Sequence, residues 1–270
     1  MNLKILRARS LVAVVAVLVV AVSAALPLSQ AAACPTQGVP ITTSWTLTSN
    51  CTYSTAGENG IVLGANGITL DCKGHTITYS VSTVNDPIIV LSGYTGDTIK
   101  NCVVVSPTSG LGIGAFAVSG LTLAGNTVVG ATDYAFKIAW ASNVVLTGNT
   151  ASSCTNEGFY LDYVFNLVMS GNTASCYNGF DLQNGQGGIL TGNKATGNTE
   201  YGFYFDNTQY TLKSNKADSN AYGYYDDTVG PGTIGLGNTY VNNECSGNTS
   251  DGSYDAYASF GPAFLCTPQG

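Results

Sequence analysis

Between about residues 120 and 240 the apolar positions fall in short alternating runs broken by Gly, Asn, Ser and Thr. The runs lack the i, i+3, i+4 spacing of an amphipathic helix, and alternation punctuated by turn residues predicts short strands. The pattern also repeats. A phrase of the form L-x-G-N, loosely kept, ends at Asn126, Asn149, Asn172, Asn193, Asn215 and Asn238, at steps of 23, 23, 21, 22 and 23 residues. A second phrase keeps the same beat, as "AFKIA" at 135–139, "GFYLD" at 158–162, "GFDLQ" at 179–183, "GFYFD" at 202–206 and "GYYDD" at 223–227.

A period near 22 residues carrying two or three short strands suits one coil of a parallel β-helix. A leucine-rich repeat of similar length would need a denser leucine frame and a helical half, and the sequence has neither. Stacked coils place equivalent positions about 4.8 Å apart, so every position becomes a vertical ladder. On that reading Phe136, Phe159, Phe180, Phe203 and Tyr224 form an inward aromatic stack. Ile138, Leu161, Leu182 and Phe205 point inward beside it, filling a core that no single coil could bury. The column from Asn126 to Asn238 is expected at a turn, with amides pairing up and down the stack and tolerating left-handed backbone. The fold expected is all-β, a single solenoid domain of about 22 residues per coil.

The stretch "GIVLGANGITLDCKGHTITY" at 60–79, "TIKNC" at 98–102 and the "LTGNT" repeats together resemble right-handed parallel β-helix proteins of the pectate-lyase-like superfamily. The resemblance covers about residues 55–245 and implies a right-handed solenoid of about eight or nine coils. That superfamily includes polysaccharide lyases, hydrolases and epimerases, copper-delivery accessory proteins, and surface proteins with no known chemistry. Fold alone does not choose among them.

The first residues, with Lys4, Arg7 and Arg9, precede an apolar run and then "SQAAAC", the plan of a secretory signal peptide cut after Ala33. An uncleaved membrane anchor competes with this reading, because the run is nearly long enough to span a bilayer. Acylation of Cys34 is a third reading, disfavoured by the small Ala31. The expected organisation is a signal peptide over 1–33 and a β-helix over 34–270, with an N-terminal cap at 34–60 and a C-terminal cap at 246–270. Removal of the leader removes every Arg and leaves six Lys against sixteen Asp and Glu, a net charge of 6 − 16 = −10. Such a chain suits neither nucleic acid nor an anionic membrane surface as a partner.

All eight Cys lie beyond the leader, which fits disulfides in an oxidising, extracellular or cell-surface setting. Phase along the repeat pairs Cys154 with Cys176 and Cys72 with Cys102. Cys34 with Cys51 and Cys245 with Cys266 then tie down the two ends. This is one of the 105 pairings that eight Cys allow. A zinc site is the rival, but there is one His and no C-x-x-C.

Alternation along the second phrase turns a column outward: Lys137, Tyr160, Asp181, Tyr204, Tyr225. Two positions on, the outward column reads Ala139, Asp162, Gln183, Asp206, Asp227. Tyr163, Tyr201 and Tyr210 are expected at its margins. Rings beside carboxylates and amides on a flat sheet suit a polysaccharide, with ring faces stacked on pyranose C–H groups and polar groups on hydroxyls. Lys137, Tyr160, Gln183, Tyr204 and Tyr225 are thus the binding candidates for an extracellular polysaccharide or cell-surface glycan. The alternative is a structural or adhesive surface protein whose Tyr and Asp only make a soluble, β-compatible face.

Asp162, Asp181, Asp206 and Asp227 are the catalytic candidates for a polysaccharide hydrolase or lyase. Stacking puts Asp206 and Asp227 about 5 Å apart and Asp162 and Asp206 about 10 Å apart. Retaining glycosidases use about 5.5 Å and inverting ones roughly 6.5–9.5 Å, so the ladder permits either without selecting one. No cofactor is required, although the same carboxylates could hold Ca²⁺. Among the enzymes that the chain resembles, most lyases use Arg, and polygalacturonase-like and epimerase-like members carry His beside acid. Here the post-leader chain has no Arg, and the lone His75 lies about six coils from Asp206, roughly 29 Å. Copper handling fits poorly as well, because one His and an inward-facing Met169 make a meagre ligand set.

Overall fold

Each coil contributes three short strands separated by tight turns. Phe136–Ser142, Val145–Thr147 and Thr150–Ser152 make one coil, and Glu157–Phe165, Val168–Ser170 and Thr173–Ser175 make the next. The computed structural model describes residues 33–80, 85–108, 110–228, 237–250, 253–255 and 265–268. The expected leader lies outside them, apart from Ala33. Strands of successive coils pair in parallel, with Phe136 opposite Phe159, Val145 opposite Val168 and Thr150 opposite Thr173. The third strands of the coils form a ten-stranded sheet, and the first and second join in a nineteen-stranded one. The chain is an all-β, right-handed parallel β-helix. Among the described residues no helix is long and apolar enough to cross a membrane.

The core is a set of vertical columns. The rings of Phe136, Phe159, Phe180, Phe203 and Tyr224 stack face to face, with centroids 4.6, 4.9, 4.7 and 4.8 Å apart and planes within 8°. Each such contact adds about 0.5–1.5 kcal/mol beyond the area buried. Ring size is balanced across the coil. Where the first strand carries Ile88 or Ile113, the third carries Val104 or Val128; where it carries Phe136, Phe159, Phe180 or Phe203, the third carries Ala151, Ala174, Ala195 or Ala217. Large opposite small keeps the cross-section filled from coil to coil at the density that cores require.

The asparagine ladder pairs its amides as expected and differs in one member and in the position of the left-handed backbone. It runs Asn126, Asn149, Asn172, Asn193, Asn215, Asn243, with side-chain amide to side-chain oxygen distances of 2.9–3.1 Å. From Asn149 on, each Oδ1 also accepts the backbone N–H of the Asn one coil earlier, as Asn172 does from Asn149 at 2.8 Å, and Asn126 Oδ1 accepts that of Cys102. Each Nδ2 also donates to a backbone carbonyl, so the buried amide is satisfied. Asn238 is not a member, because the coil from Asn215 to Asn243 is 28 residues long. Left-handed backbone falls one residue before the ladder, at Gly125, Gly148, Gly171 and Gly192, with φ between 61° and 63°. In the G-N phrase, Gly makes the turn and Asn makes the ladder. A second ladder, Asn198 to Asn220 to Asn248, stabilises the opposite turn.

Four disulfides link Cys34–Cys51, Cys72–Cys102, Cys154–Cys176 and Cys245–Cys266. The third joins residues one coil apart, with 22 residues between the sulfurs along the chain. Such bridges belong to an oxidising, non-cytoplasmic compartment.

The columns make unequal demands. Phe180→Ala removes a ring from the middle of the stack and should lower stability by about 3–5 kcal/mol in urea unfolding. Asn172→Ala orphans buried amide groups of two neighbours and should cost roughly 1–3 kcal/mol per group left unpaired. Unchanged urea midpoints in both variants would contradict this account of the core.

Candidate functional site

The first-strand stack turns alternate side chains to solvent, and its register carries one unbroken outward column. Gly114 lies opposite Lys137, Lys137 opposite Tyr160, Tyr160 opposite Asp181, Asp181 opposite Tyr204, and Tyr204 opposite Tyr225. The parallel column Ala139, Asp162, Gln183, Asp206 is equally in register. Asp227 follows it, its N–H donating to the carbonyl of Phe205. Gln183 therefore separates Asp162 from Asp206.

Aromatic rings dominate the lower half of this face. Tyr201 stands 5.3 Å from Tyr204, 5.3 Å from Tyr222 and 4.9 Å from Tyr225, centroid to centroid, while Tyr204 and Tyr225 stack at 5.5 Å. Tyr201 is thus a member of the cluster rather than a margin residue, and Tyr222 joins it. Tyr210 lies elsewhere: it is buried, and its hydroxyl donates to the carbonyl of Val164 at 2.7 Å. The Tyr204 phenol is pushed up to about 12, first by burial and then by Asp206 and Asp227. It stays protonated and can donate a hydrogen bond at physiological pH.

The upper half is built differently, and much of it is out of phase with the repeat. Lys137 Nζ sits 4.4 Å from the Tyr134 ring centroid and 5.5 Å from that of Tyr160, and those two rings are 4.8 Å apart. Asp86, from the turn before strand Ile88–Val90, reaches over Gly114; a Cβ there would lie 2.5 Å from its Oδ2. Burial holds the Asp86 carboxyl up at about 7, against the opposing charge of Lys137. Glu157, at the start of its strand, is raised first by burial and is also within reach of Lys137 and Asp133. Asp86 Oδ1 and Glu157 Oε2 are buried without a hydrogen-bond partner.

Asp181, expected on an exposed face, is only 6% exposed, because its column neighbours are Tyr160 and Tyr204. Burial raises its carboxyl to about 7, opposed by the Gln183 amide at 3.1 Å and reinforced by Glu157, Asp206 and Asp162. Asp206 is raised as well, by burial first and then by Asp227 and Asp162. A carboxyl that keeps its proton near neutrality beside others held close to it is the arrangement that general acid–base chemistry uses. Asp226 alternates inward without any slip of register. Its carboxylate accepts from Tyr240 Oη at 2.6 Å, Asn238 Nδ2 at 3.0 Å and the Thr228 N–H at 3.0 Å, so it belongs to the scaffold.

Ala117, Asn184 and Asn207, each following its first strand, and Trp140 and Tyr163, within the longer first strands Phe136–Ser142 and Glu157–Phe165, occupy one column at φ 50–52°. Asn184 Nδ2 donates to Asp162 Oδ1 at 3.0 Å, tying this column to the face. Repeats show the phase of such positions but not which of them will be exposed. Only the change from Asn to Trp and Tyr within the column marks these two.

A family model described as "Periplasmic copper-binding protein (NosD)" matches residues 30–163 and 71–259. Among solved structures, the periplasmic alginate epimerase AlgG superposes with a TM-score of 0.58 at 14% identity over 83% of this chain. A point mutant of that epimerase gives 0.57 at 15% identity over the same share. The chain spans 65% of the length of the epimerase. No curated protein sequence matches. Copper does not fit the residues present. The eight Cys are all in disulfides, Met169 is fully buried in the core, and His75 is the single His. Among the described residues no three His, Cys, Asp or Glu side chains come together as a metal site.

The two carboxyls raised to about 7 set a pH dependence. Asp86 and Asp181 titrate at 3.8 when unperturbed and at about 7 in the folded chain, so between those values the folded state binds more protons. Stability contributed by these groups is therefore full below about pH 4 and lost as pH rises through about 7. The double variant Asp86→Asn/Asp181→Asn should lose less stability than wild type between pH 5 and pH 8 in urea titrations. An identical fall in both proteins would contradict the assignment.

Proposed function

The chain belongs to the NosD family, and on its outward Tyr/Asp face we propose that it recognises a polysaccharide outside the cytoplasm, extracellular or at the cell surface. The observation that carries this reading is the unbroken register of Lys137, Tyr160, Asp181, Tyr204 and Tyr225 along one sheet face. A repeating surface with a rise of about 4.8 Å per coil presents a linear chain with rings and hydrogen-bonding groups at near-regular intervals. Tyr160, Tyr204 and Tyr225 supply ring faces to sugar C–H groups, Gln183 and the Asp side chains bind hydroxyls, and Lys137 offers the one cation of the column. The likeness to AlgG, an alginate epimerase by name, supports the β-helix scaffold of this reading and no particular sugar.

A second reading is favoured by the setting of Asp181, buried between Tyr160 and Tyr204 in the column, where burial pushes its carboxyl up to about 7. In this reading the face processes the bound chain, with Asp181 as the acid and Asp162, Asp206 or Asp227 as its carboxylate partner in a hydrolase or lyase. Strongly anionic chains such as polygalacturonate fit the acidic face only if Ca²⁺, held by these carboxylates, bridges the charges. No other cofactor enters either reading.

A panel of neutral and acidic polysaccharides, with and without Ca²⁺, separates the readings. Binding should be retained by wild type and lost by roughly tenfold or more in the folded Tyr204→Ala protein. New reducing or unsaturated ends that disappear in Asp206→Asn would add the processing activity. Folded protein that neither binds nor releases ends would overturn the proposal and leave a structural or adhesive surface protein.

A further inference from the structure

The column of left-handed residues along the first-strand stack holds two side chains that the backbone does not favour. Trp140 and Tyr163 sit at φ 52°, where Ala117, Asn184 and Asn207 occupy the equivalent positions. Asn accepts this conformation readily, whereas a bulky aromatic residue there costs free energy. Both rings are also left in solvent, Trp140 61% and Tyr163 43% exposed. Ala139 opposite Asp162 and Ala141 opposite Val164 hold the two in register, one coil apart. The fold therefore bears a backbone cost and a loss of burial at two adjacent positions, with nothing in the scaffold gained. Strained, over-determined residues of this kind mark functional surfaces more often than structural ones.

Beside them lies a cleft of about 240 Å³ bounded by Tyr163, Phe165, Asn184, Gln186, Asn207 and Gln209. Gly185 also lines it, and a Cβ there would run into the buried Tyr210 Oη. The lining holds rings and carboxamides and no charged group. Its volume is below the roughly 300–1,000 Å³ of sites that enclose drug-sized molecules, so it suits a single ring at the edge of a longer chain. The cleft is continuous with the Tyr/Asp face, since Asn184 Nδ2 donates to Asp162 Oδ1 at 3.0 Å and Asn207 Nδ2 to Asn184 Oδ1 at 3.0 Å.

We propose that Trp140, Tyr163 and the amide-lined cleft beside them form a subsite for an uncharged sugar unit of the glycan bound on the adjacent face. The chemistry selects this class. The negative faces of exposed rings complement pyranose C–H groups. Carboxamides both donate to and accept from hydroxyls, and a lining without cations offers a uronate carboxylate no opposite charge to offset its desolvation. The proposal deepens the reading of the face as a glycan-binding surface and rests on it.

The test uses neutral hexasaccharides of glucose and mannose, with hexamannuronate as the anionic probe, against wild type, Trp140→Asn, Tyr163→Asn and Tyr204→Ala. Trp140 is one of two Trp in the chain, so acrylamide quenching of wild type against Trp140→Asn isolates its emission. A neutral hexasaccharide should protect Trp140 from quenching, and Trp140→Asn and Tyr163→Asn should each weaken its binding roughly tenfold. Because Asn suits the left-handed backbone, both variants should unfold at or above the wild-type temperature; a fall would show a structural role and overturn the proposal. Binding lost in Tyr204→Ala but unchanged in both Asn variants would overturn the subsite and leave the face. Binding lost in the Asn variants alone would keep the subsite and remove the face. Protection of Trp140 by hexamannuronate only would overturn the uncharged class, binding of a probe without protection of Trp140 would overturn the subsite and leave the face, and binding of no probe would overturn both.

Discussion

Vertical register is the constraint on which the rest of this molecule depends. An asparagine whose Oδ1 accepts two hydrogen bonds from the coil before it, while its Nδ2 donates to the next Asn and to a carbonyl, tolerates no slip of one residue. A slip would reverse every side chain from core to surface. The same register lets five rings stack at about 4.6–4.9 Å, because coil spacing and ring-stacking distance coincide. Ladder and stack reinforce each other: the amides set the height of a coil, and the rings reward that height. Coil length is freer than coil height, and the 28-residue step from Asn215 to Asn243 keeps the ladder intact at 3.1 Å.

With the core so determined, the outward positions of the first strand can vary without cost to the fold, and they do. Their electrostatics follow from crowding. Burial raises Asp86, over Gly114, and Asp181, between Tyr160 and Tyr204 with other carboxyls nearby, to about 7. Lys137 sits between Asp86 and Glu157 but spends its charge on the Tyr134 and Tyr160 rings, with no carboxylate within 4.0 Å among the ion pairs of the described residues. The face is thus polar and aromatic, with less free negative charge than its composition suggests.

The solenoid, its aromatic stack and the outward columns were legible in the sequence because each is a repeat, and repetition converts phase into position. Legibility ended where phase did. Asn238 was counted into the ladder by a constant step, but a longer coil passes that role to Asn243 and leaves Asn238 to hold Asp226. The second ladder had a signal, the doublets "GN" at Gly197–Asn198 and Gly247–Asn248, one turn later than the phrase that drew attention. Asp86 carried none. It stands in a turn outside the repeating coils and reaches the face only because Gly114 leaves space above the sheet. The burial of Asp181 needed the side chains of three coils at once, which no single repeat contains.

The central claim is that the outward face of the first strand stack is the principal binding surface. Hydroxyl-radical footprinting of wild-type protein with its tightest-binding polysaccharide tests this residue by residue. The account predicts protection of Tyr160, Tyr204 and Tyr225, with Val168 and Ile189, exposed on the second strand stack, unchanged. Protection centred on Val168 and Ile189, with the tyrosine column as reactive as in the free protein, would contradict it.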